Sequence, residues 1–345
     1  MKTRRIVLVA AVALLVGAGT AGATKPGSGS STGTARVFDV NPVQSLQDES
    51  LTDQKDSAAA VPAAAYIPVQ LTHLDGSGFL QGDYARVRSE TGNPAYSTTN
   101  TFNYTRDQDE FEQVMVYYWV TEAQLYLQSL GFTGPGKGIL QDGIDVRINT
   151  YGVDNSFFWD KHHYLRFGKG GVDDAEDAEV ILHEYGHAIQ DSQVTGFGTN
   201  LESGSIGEAF GDYFAVSFGN AKSGNTFQPA CVADWDSVSY TPGPIHCLRR
   251  TDLNLHWPAD DGGEVHRNGR IWSRALWDIN QALGNVRADK IIIGAQFSFE
   301  ADTSFKAAAI ATVGYAKDTD ASAVPVVCKA FVDRGFITQA DCNAA

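Results

Sequence analysis

Residues 183–187 form an HExxH sequence, and this feature constrains the chain more than any other. When the segment is helical, His183 and His187 lie one turn apart on the same face and can bind one metal ion. Apolar residues at helical spacing surround the segment, and a second helical pattern follows, with Glu208 and Asp212 one turn apart. The spacing therefore predicts two neighbouring helices that together form a metal site.

The donor set suits catalytic zinc, which takes three protein ligands and keeps a fourth position for water. We expect nitrogen ligands from His183 and His187 and an oxygen ligand from Glu208. Asp212 would accept the outer N–H of His183. Glu184 projects beside the ligand face, where it would act as general base towards the zinc-activated water. The competing interpretation, ordinary helix histidines and a surface glutamate, leaves the second helical pattern unexplained.

These segments resemble those of the thermolysin-like and fungalysin-like secreted zinc metallopeptidases, in the same order along residues 102–278. Residues 154–159 are similar to the family's edge strand, which implies that Asn155 binds the substrate backbone. Residues 261–266 are similar to the segment bearing the histidine that stabilises the transition state. The resemblance therefore implies this role for His266, with Asp261 favouring its charged form.

Arg249 is similar to the family arginine that holds a substrate carbonyl. The family tyrosine that contacts the oxyanion is absent from the matching position, where Thr199 stands, and Tyr240 is the first alternative to test. The resemblance implies a secreted zinc endopeptidase acting on peptides or proteins. Two other functions stay open, a zinc aminopeptidase and a non-catalytic secreted binding protein on a metallopeptidase scaffold.

The resemblance also implies an α+β, thermolysin-like fold of two lobes. We expect a β-rich N-terminal lobe and an α-helical C-terminal lobe, with the zinc helix between them. The expected divisions are a signal peptide (1–23), a linker with an N-terminal arm or short pro-segment (24–89), the β-rich lobe ending in the HExxH helix (90–192) and the α-helical lobe (193–345).

The N-terminus and the charge indicate where such a protein acts. Basic residues precede an apolar run at residues 6–16 and a small-residue cleavage pattern at residues 21–23, which is typical of a secretory signal peptide. We therefore expect a secreted protein with no membrane association after cleavage. The net charge of −15 argues against nucleic acid as a partner, because nucleic acid attracts basic surfaces.

Four cysteines suit an oxidising destination. Three pairings are possible, and we favour the two that are local in sequence, Cys231–Cys247 and Cys328–Cys342. Five acidic residues between positions 173 and 179 precede the HExxH segment. They either interact favourably with the N-terminal dipole of the helix or bind calcium, and Glu179 is the candidate calcium ligand.

Overall fold

The structure is a computed structural model, and it describes residues 31–345. The expected signal peptide and the first residues of the expected linker lie outside the described residues. The strands are β1 (Ser31–Phe38), β2 (Tyr66–Leu74), β3 (Ala85–Ser89), β4 (Thr101–Phe102), β5 (Ile144–Ile148), β6 (Phe157–Trp159), β7 (Tyr164–Arg166), β8 (Cys231–Val232) and β9 (Arg249–Arg250). The α-helices are α1 (Pro42–Leu46), α2 (Glu110–Ser129), α3 (Ala178–Gln193), α4 (Leu201–Ser223), α5 (Val265–Leu283), α6 (Asn285–Ala295), α7 (Phe305–Thr319), α8 (Val324–Asp333) and α9 (Gln339–Ala344).

Two sheets form the first part of the molecule, with strand orders β2-β1-β4 and β3-β5-β7-β6. In β5, the buried side chains of Ile144, Val146 and Ile148 alternate with half-buried residues, as the sequence pattern predicts. Strand β6 lies at a sheet edge, antiparallel to β7, so its outer backbone groups can pair with another extended chain. The boundary expected at residue 90 falls inside the second sheet, because β3 pairs with β5.

The two helices of the predicted metal site follow directly after these sheets. Asp177 caps α3 by accepting a hydrogen bond from the backbone N–H of Glu179. Helix α3 packs on β6 and β7 and on helices α2 and α4. This position brings the HExxH face to the junction between the strands and the later helices.

Helices α4 to α9 form the second part of the molecule. Asp289 of α6 is fully buried and accepts hydrogen bonds from Tyr126 of α2 and from Tyr213 and Ser217 of α4. A buried carboxylate satisfied from two other helices fixes their relative positions. The α+β class predicted from the sequence is confirmed.

Both favoured disulfides, Cys231–Cys247 and Cys328–Cys342, are present, so that pairing is confirmed. The first closes the loop between β8 and β9. None of the helices within residues 31–345 has the length and apolar character needed to cross a membrane.

Candidate metal centre and substrate cleft

Two glycines allow α3 and α4 to cross closely at the metal site. A Cβ atom on Gly186 would lie 2.9 Å from the Cα of Gly211, and one on Gly211 would lie 2.6 Å from Nδ1 of His183. Real side chains do not tolerate such distances, so both positions need glycine. One glycine stands inside each motif, but the motif spacing alone does not indicate this close crossing.

The crossing brings the three predicted ligands together. Nε2 of His183 lies 3.2 Å from Nε2 of His187 and 3.4 Å from Oε2 of Glu208, and Nε2 of His187 lies 3.6 Å from Oε1 of Glu208. Four ligands placed tetrahedrally about 2.0–2.2 Å from zinc lie about 3.3–3.6 Å from one another. The spacing of these atoms therefore fits one zinc ion.

The electrostatics of the three side chains also fit a cation. Oε2 of Glu208 is buried and accepts no hydrogen bond within the described part of the chain. Although burial opposes the charged form, the neighbouring carboxylates of Asp212 and Glu208 raise the pKa of His183 to about 10. Without metal, a proton therefore supplies the positive charge that the carboxylates require. A divalent ion can replace that proton, because metal binding needs the neutral imidazole.

Asp212 lies behind His183, as the spacing predicts. Its Oδ1 is 2.9 Å from Nδ1 of His183, which fixes the ring orientation and leaves Nε2 facing the other ligands. Arg249 binds the same carboxylate twice, with Nε and Nη2 each 2.7 Å from an oxygen. Despite burial, Arg249 and His183 lower the pKa of Asp212 to about 2, so it is ionised at neutral pH.

Glu184 lines a cleft of about 860 Å³ together with the three predicted ligands. Its side chain is largely buried, with 6% of the residue exposed. The cleft is bounded by residues of β6, α3, α4, the segment after α4 and the start of α5. Both parts of the molecule therefore contribute residues to the cleft. Its volume is large enough for a peptide, and the predicted base and ligands face it.

His266 reaches the metal site from the start of α5, where its Nε2 lies 3.2 Å from Oε2 of Glu208. The predicted pairing with Asp261 is corrected by the structure. Nδ1 of His266 lies 2.6 Å from Oε1 of Glu264, the residue that caps α5, whereas Asp261 accepts hydrogen bonds from Gly263 and Asn268. The cap position places the Glu264 carboxylate at the first turn, which the sequence distance alone did not indicate.

The other predicted substrate residues lie in the same cleft or at its edge. Asn155 is exposed and lines the cleft beside β6. Arg249 also lines it, and within the described residues its Nη1 forms no hydrogen bond. The hydroxyl of Thr199 donates to the carbonyl of Ala301. Tyr240 lines the cleft, but its hydroxyl donates to Asp236.

Glu179 lies in a buried acidic cluster with Asp177 and Asp234, whose oxygens come within 4.8 Å of one another. Asn41 donates to Asp177 and Asp234, and Gln44 donates to Glu179. Burial raises the pKa of Glu179 well above its usual value, and the carboxylates of Asp234 and Asp177 add to the effect. Asp234 was not predicted, because it lies far from Glu179 in the sequence.

The chain is similar to known metallopeptidases. A sequence profile of the fungalysin metallopeptidase (M36) family matches residues 75–290. Extracellular metalloproteinase 2 of Phaeosphaeria nodorum is 34% identical over 115 residues, which cover 30% of this chain and 17% of that protein. Extracellular metalloproteinase 4 of Trichophyton rubrum is 30% identical over 115 residues, with the same two shares. The matched part of this chain thus spans about a sixth of the length of these relatives.

A solved structure, the precursor of protealysin, a metalloproteinase from Serratia proteamaculans, has a similar fold. The TM-score is 0.54 at 17% sequence identity, and the match covers 74% of this chain and 86% of that chain. The profile match extends from the end of β2 into α6, and it includes both metal-site helices and His266. The chain belongs to the fungalysin metallopeptidase (M36) family.

Proposed function

We propose that the protein is a secreted zinc-dependent endopeptidase that binds zinc through His183, His187 and Glu208. The observation that carries this proposal is the convergence of these three side chains in a cleft that also contains Glu184. Two imidazoles and one carboxylate are a donor set of catalytic zinc sites, which leave one coordination position open. A purely structural zinc site requires neither a neighbouring base nor a substrate cleft.

Zinc bound at these residues would lower the pKa of a water molecule towards about 7 and polarise a substrate carbonyl. Glu184 accepts the water proton on its carboxylate and returns it to the leaving nitrogen. Nε2 of His266 donates to the oxyanion as negative charge develops there. Glu264 contacts Nδ1 of His266 and orients the ring, in the place first expected for Asp261.

The substrate would bind as an extended chain along β6. This strand lies at a sheet edge, and an extended peptide adds to such an edge through main-chain hydrogen bonds. Asn155 holds the peptide backbone beside the strand. Nη1 of Arg249 holds a substrate carbonyl, while Nε and Nη2 stay on Asp212.

Secretion is supported by the signal-peptide pattern, the two disulfides and the extracellular naming of the relatives. We also propose that residues 31–89 stay in the mature protein as part of the catalytic unit. Strand β1 lies between β2 and β4, and Phe38 is fully buried. Removing such a segment would expose the core of the first sheet.

A calcium ion at Asp177, Glu179 and Asp234 is a further part of the proposal. Their oxygens are buried and close together, and Oδ2 of Asp234 accepts no hydrogen bond within residues 31–345. Calcium takes oxygen ligands, and its charge would compensate carboxylates that otherwise repel one another. The ion would join the start of α3 to the segment after α4.

The proposal is tested with an internally quenched peptide that is acetylated at its N-terminus and amidated at its C-terminus. We expect cleavage by the purified protein, loss of cleavage with a chelator and recovery with zinc. Cleavage only of peptides with a free amino terminus would identify an aminopeptidase. Zinc binding without cleavage of any peptide would favour a binding protein.

A further inference from the structure

One wall of the cleft carries three carboxylates that take no part in the proposed catalysis. Asp154, Asp174 and Asp236 offer oxygens within 4.8 Å of one another, and all three residues line the cleft that contains Glu184. We call these three residues the acidic wall. Asp174 and Asp236 are 2% and 4% exposed, whereas Asp154 faces the solvent side.

The acidic wall lacks positive charge. Within residues 31–345, no Lys, Arg or His side chain forms an ion pair with any of its three members. Arg249 lines the same cleft, but Asp212 holds its guanidinium. Burial raises the pKa of Asp174 to about 7, and the nearby carboxylates of Asp154 and Glu184 add to the effect.

Free oxygens on the acidic wall mark a place for a donor. The hydroxyl of Ser156 donates to Oδ2 of Asp174, and that of Tyr240 donates to Oδ2 of Asp236. The Oδ1 atoms of Asp174 and Asp236 are buried and have no hydrogen-bond partner in the described part of the chain. A buried carboxylate oxygen without a donor costs free energy, so a cationic side chain that enters the cleft far enough to reach these carboxylates would be stabilised here.

The surroundings of the acidic wall suit a long amphipathic side chain. Val180, Val232 and Leu248 line the same cleft and offer apolar contacts. Lysine and arginine side chains combine an apolar stem with a charged end, and they pack in this way.

We propose that the acidic wall binds the lysine or arginine side chain of a substrate residue next to the scissile bond, and so makes this protein selective for basic residues. This inference rests on the proposed peptidase function. The selectivity follows from Asp174 and Asp236, which stand in the wall of the cleft, while the metal ligands and Glu184 perform the reaction.

The test uses quenched peptides with both ends blocked, which differ only at one residue beside the scissile bond. Lysine, arginine, norleucine and glutamate are placed in turn on each side of that bond. On one side, we expect kcat/KM for lysine or arginine to exceed that for norleucine by about 10- to 100-fold, the worth of a charge-assisted hydrogen bond. The peptide with glutamate should be cleaved more slowly than the peptide with norleucine, because the glutamate carboxylate and the acidic wall repel each other.

Two substitutions assign this preference to the acidic wall. Asp236→Asn and, separately, Asp174→Asn should reduce the lysine-to-norleucine ratio by about tenfold or more. Asp160→Asn removes a carboxylate that lines the same cleft outside the acidic wall, and it should leave the ratio unchanged. Because two independent variants are used, misfolding of one leaves the other to decide.

Binding to Glu184→Gln protein loaded with zinc separates this inference from the proposed function. Tighter binding of the lysine peptide than of the norleucine peptide supports the acidic wall even if wild-type protein cleaves neither. Equal binding, or a ratio unaltered in both wall variants, overturns the inference. So does a metal ion beyond the proposed zinc and calcium ions that is lost with Asp236→Asn.

Discussion

Glu184 is the residue with the most specific proposed task, because it alone moves a proton. Glu184→Gln keeps the shape and hydrogen bonding of the side chain but removes its ability to accept a proton. We expect turnover to fall by at least about 100-fold, the lower end for loss of a general base. Zinc content, measured by elemental analysis, should stay at the wild-type value. Near-normal turnover would assign proton transfer to another residue.

His266 is expected to act in the transition state rather than in substrate binding. Losing one preorganised donor to an oxyanion costs about 3 kcal/mol, so His266→Ala should lower kcat by roughly 100-fold. KM should change little, because the contact strengthens only as charge develops. An increase in KM at constant kcat would instead make His266 a uniform substrate-binding residue.

The partner of His266 can be identified by comparing kcat between variants of the two nearby acidic residues. Glu264 lies 2.6 Å from Nδ1 of His266, whereas Asp261 contacts Gly263 and Asn268. Glu264→Gln replaces a charged hydrogen-bond acceptor at Nδ1 of His266 by a neutral one and so weakens the contact that orients the ring, and kcat should fall. Asp261→Asn serves as the matched control and should leave kcat unchanged. The opposite result would restore the pairing first expected.

At the scale of elements, the stability of α3 depends on the acidic residues at its first turn. The cluster of Asp177, Glu179 and Asp234 joins this turn to the segment that follows α4. Calcium at one hundred times its Kd would increase the free energy of unfolding by about 2.7 kcal/mol. Thermal unfolding with and without calcium should show this stabilisation in the wild type and its loss in Glu179→Gln.

Glu110 provides the matched control, because it occupies the first turn of α2 as Glu179 does that of α3. Glu110→Gln should keep the full response to calcium. An equal calcium response in Glu179→Gln would mean that the acidic residues at α3 act on the helix dipole alone.

Local sequence patterns were sufficient for the elements that carry the metal site. His183, His187, Glu208 and Asp212 have fixed spacings within helices, so their common faces follow from the helical repeat. Glu264 was not predicted to be the partner of His266, and the reason is physical. It lies at a helix cap, where the side chain returns towards the first turn, and sequence distance does not determine which nearby acid faces a histidine.

Contacts between segments that are distant in the sequence explain why the acidic clusters were not predicted. The segment after α4 folds back beside the start of α3. This brings Asp234 close to Glu179 and brings Asp236 close to Asp174. No periodic pattern exists in that segment, so its register against α3 was not predictable from the sequence. The acidic wall therefore became visible only in the structure.

At the scale of the whole molecule, the N-terminal arm is expected to be an integral part of the fold. Phe38 on β1 is fully buried, and Phe38→Ala in the mature protein should reduce the free energy of unfolding by about 3–5 kcal/mol. Phe79 is 36% exposed, so Phe79→Ala should cost clearly less in the same denaturant titration. Equal effects, or a secreted protein that begins after residue 89, would identify the arm as a removable pro-segment.

The central claim is that His183, His187 and Glu208 together hold one zinc ion, and zinc stoichiometry tests it most directly. Elemental analysis should give one zinc per chain in the wild type and clearly less than one in Glu208→Ala. Glu202→Ala is the control, because Glu202 lies on the same helix and binds the backbone N–H of Phe305 outside the cleft. This control should retain one zinc per chain, and full zinc occupancy in Glu208→Ala would contradict the proposed ligand set.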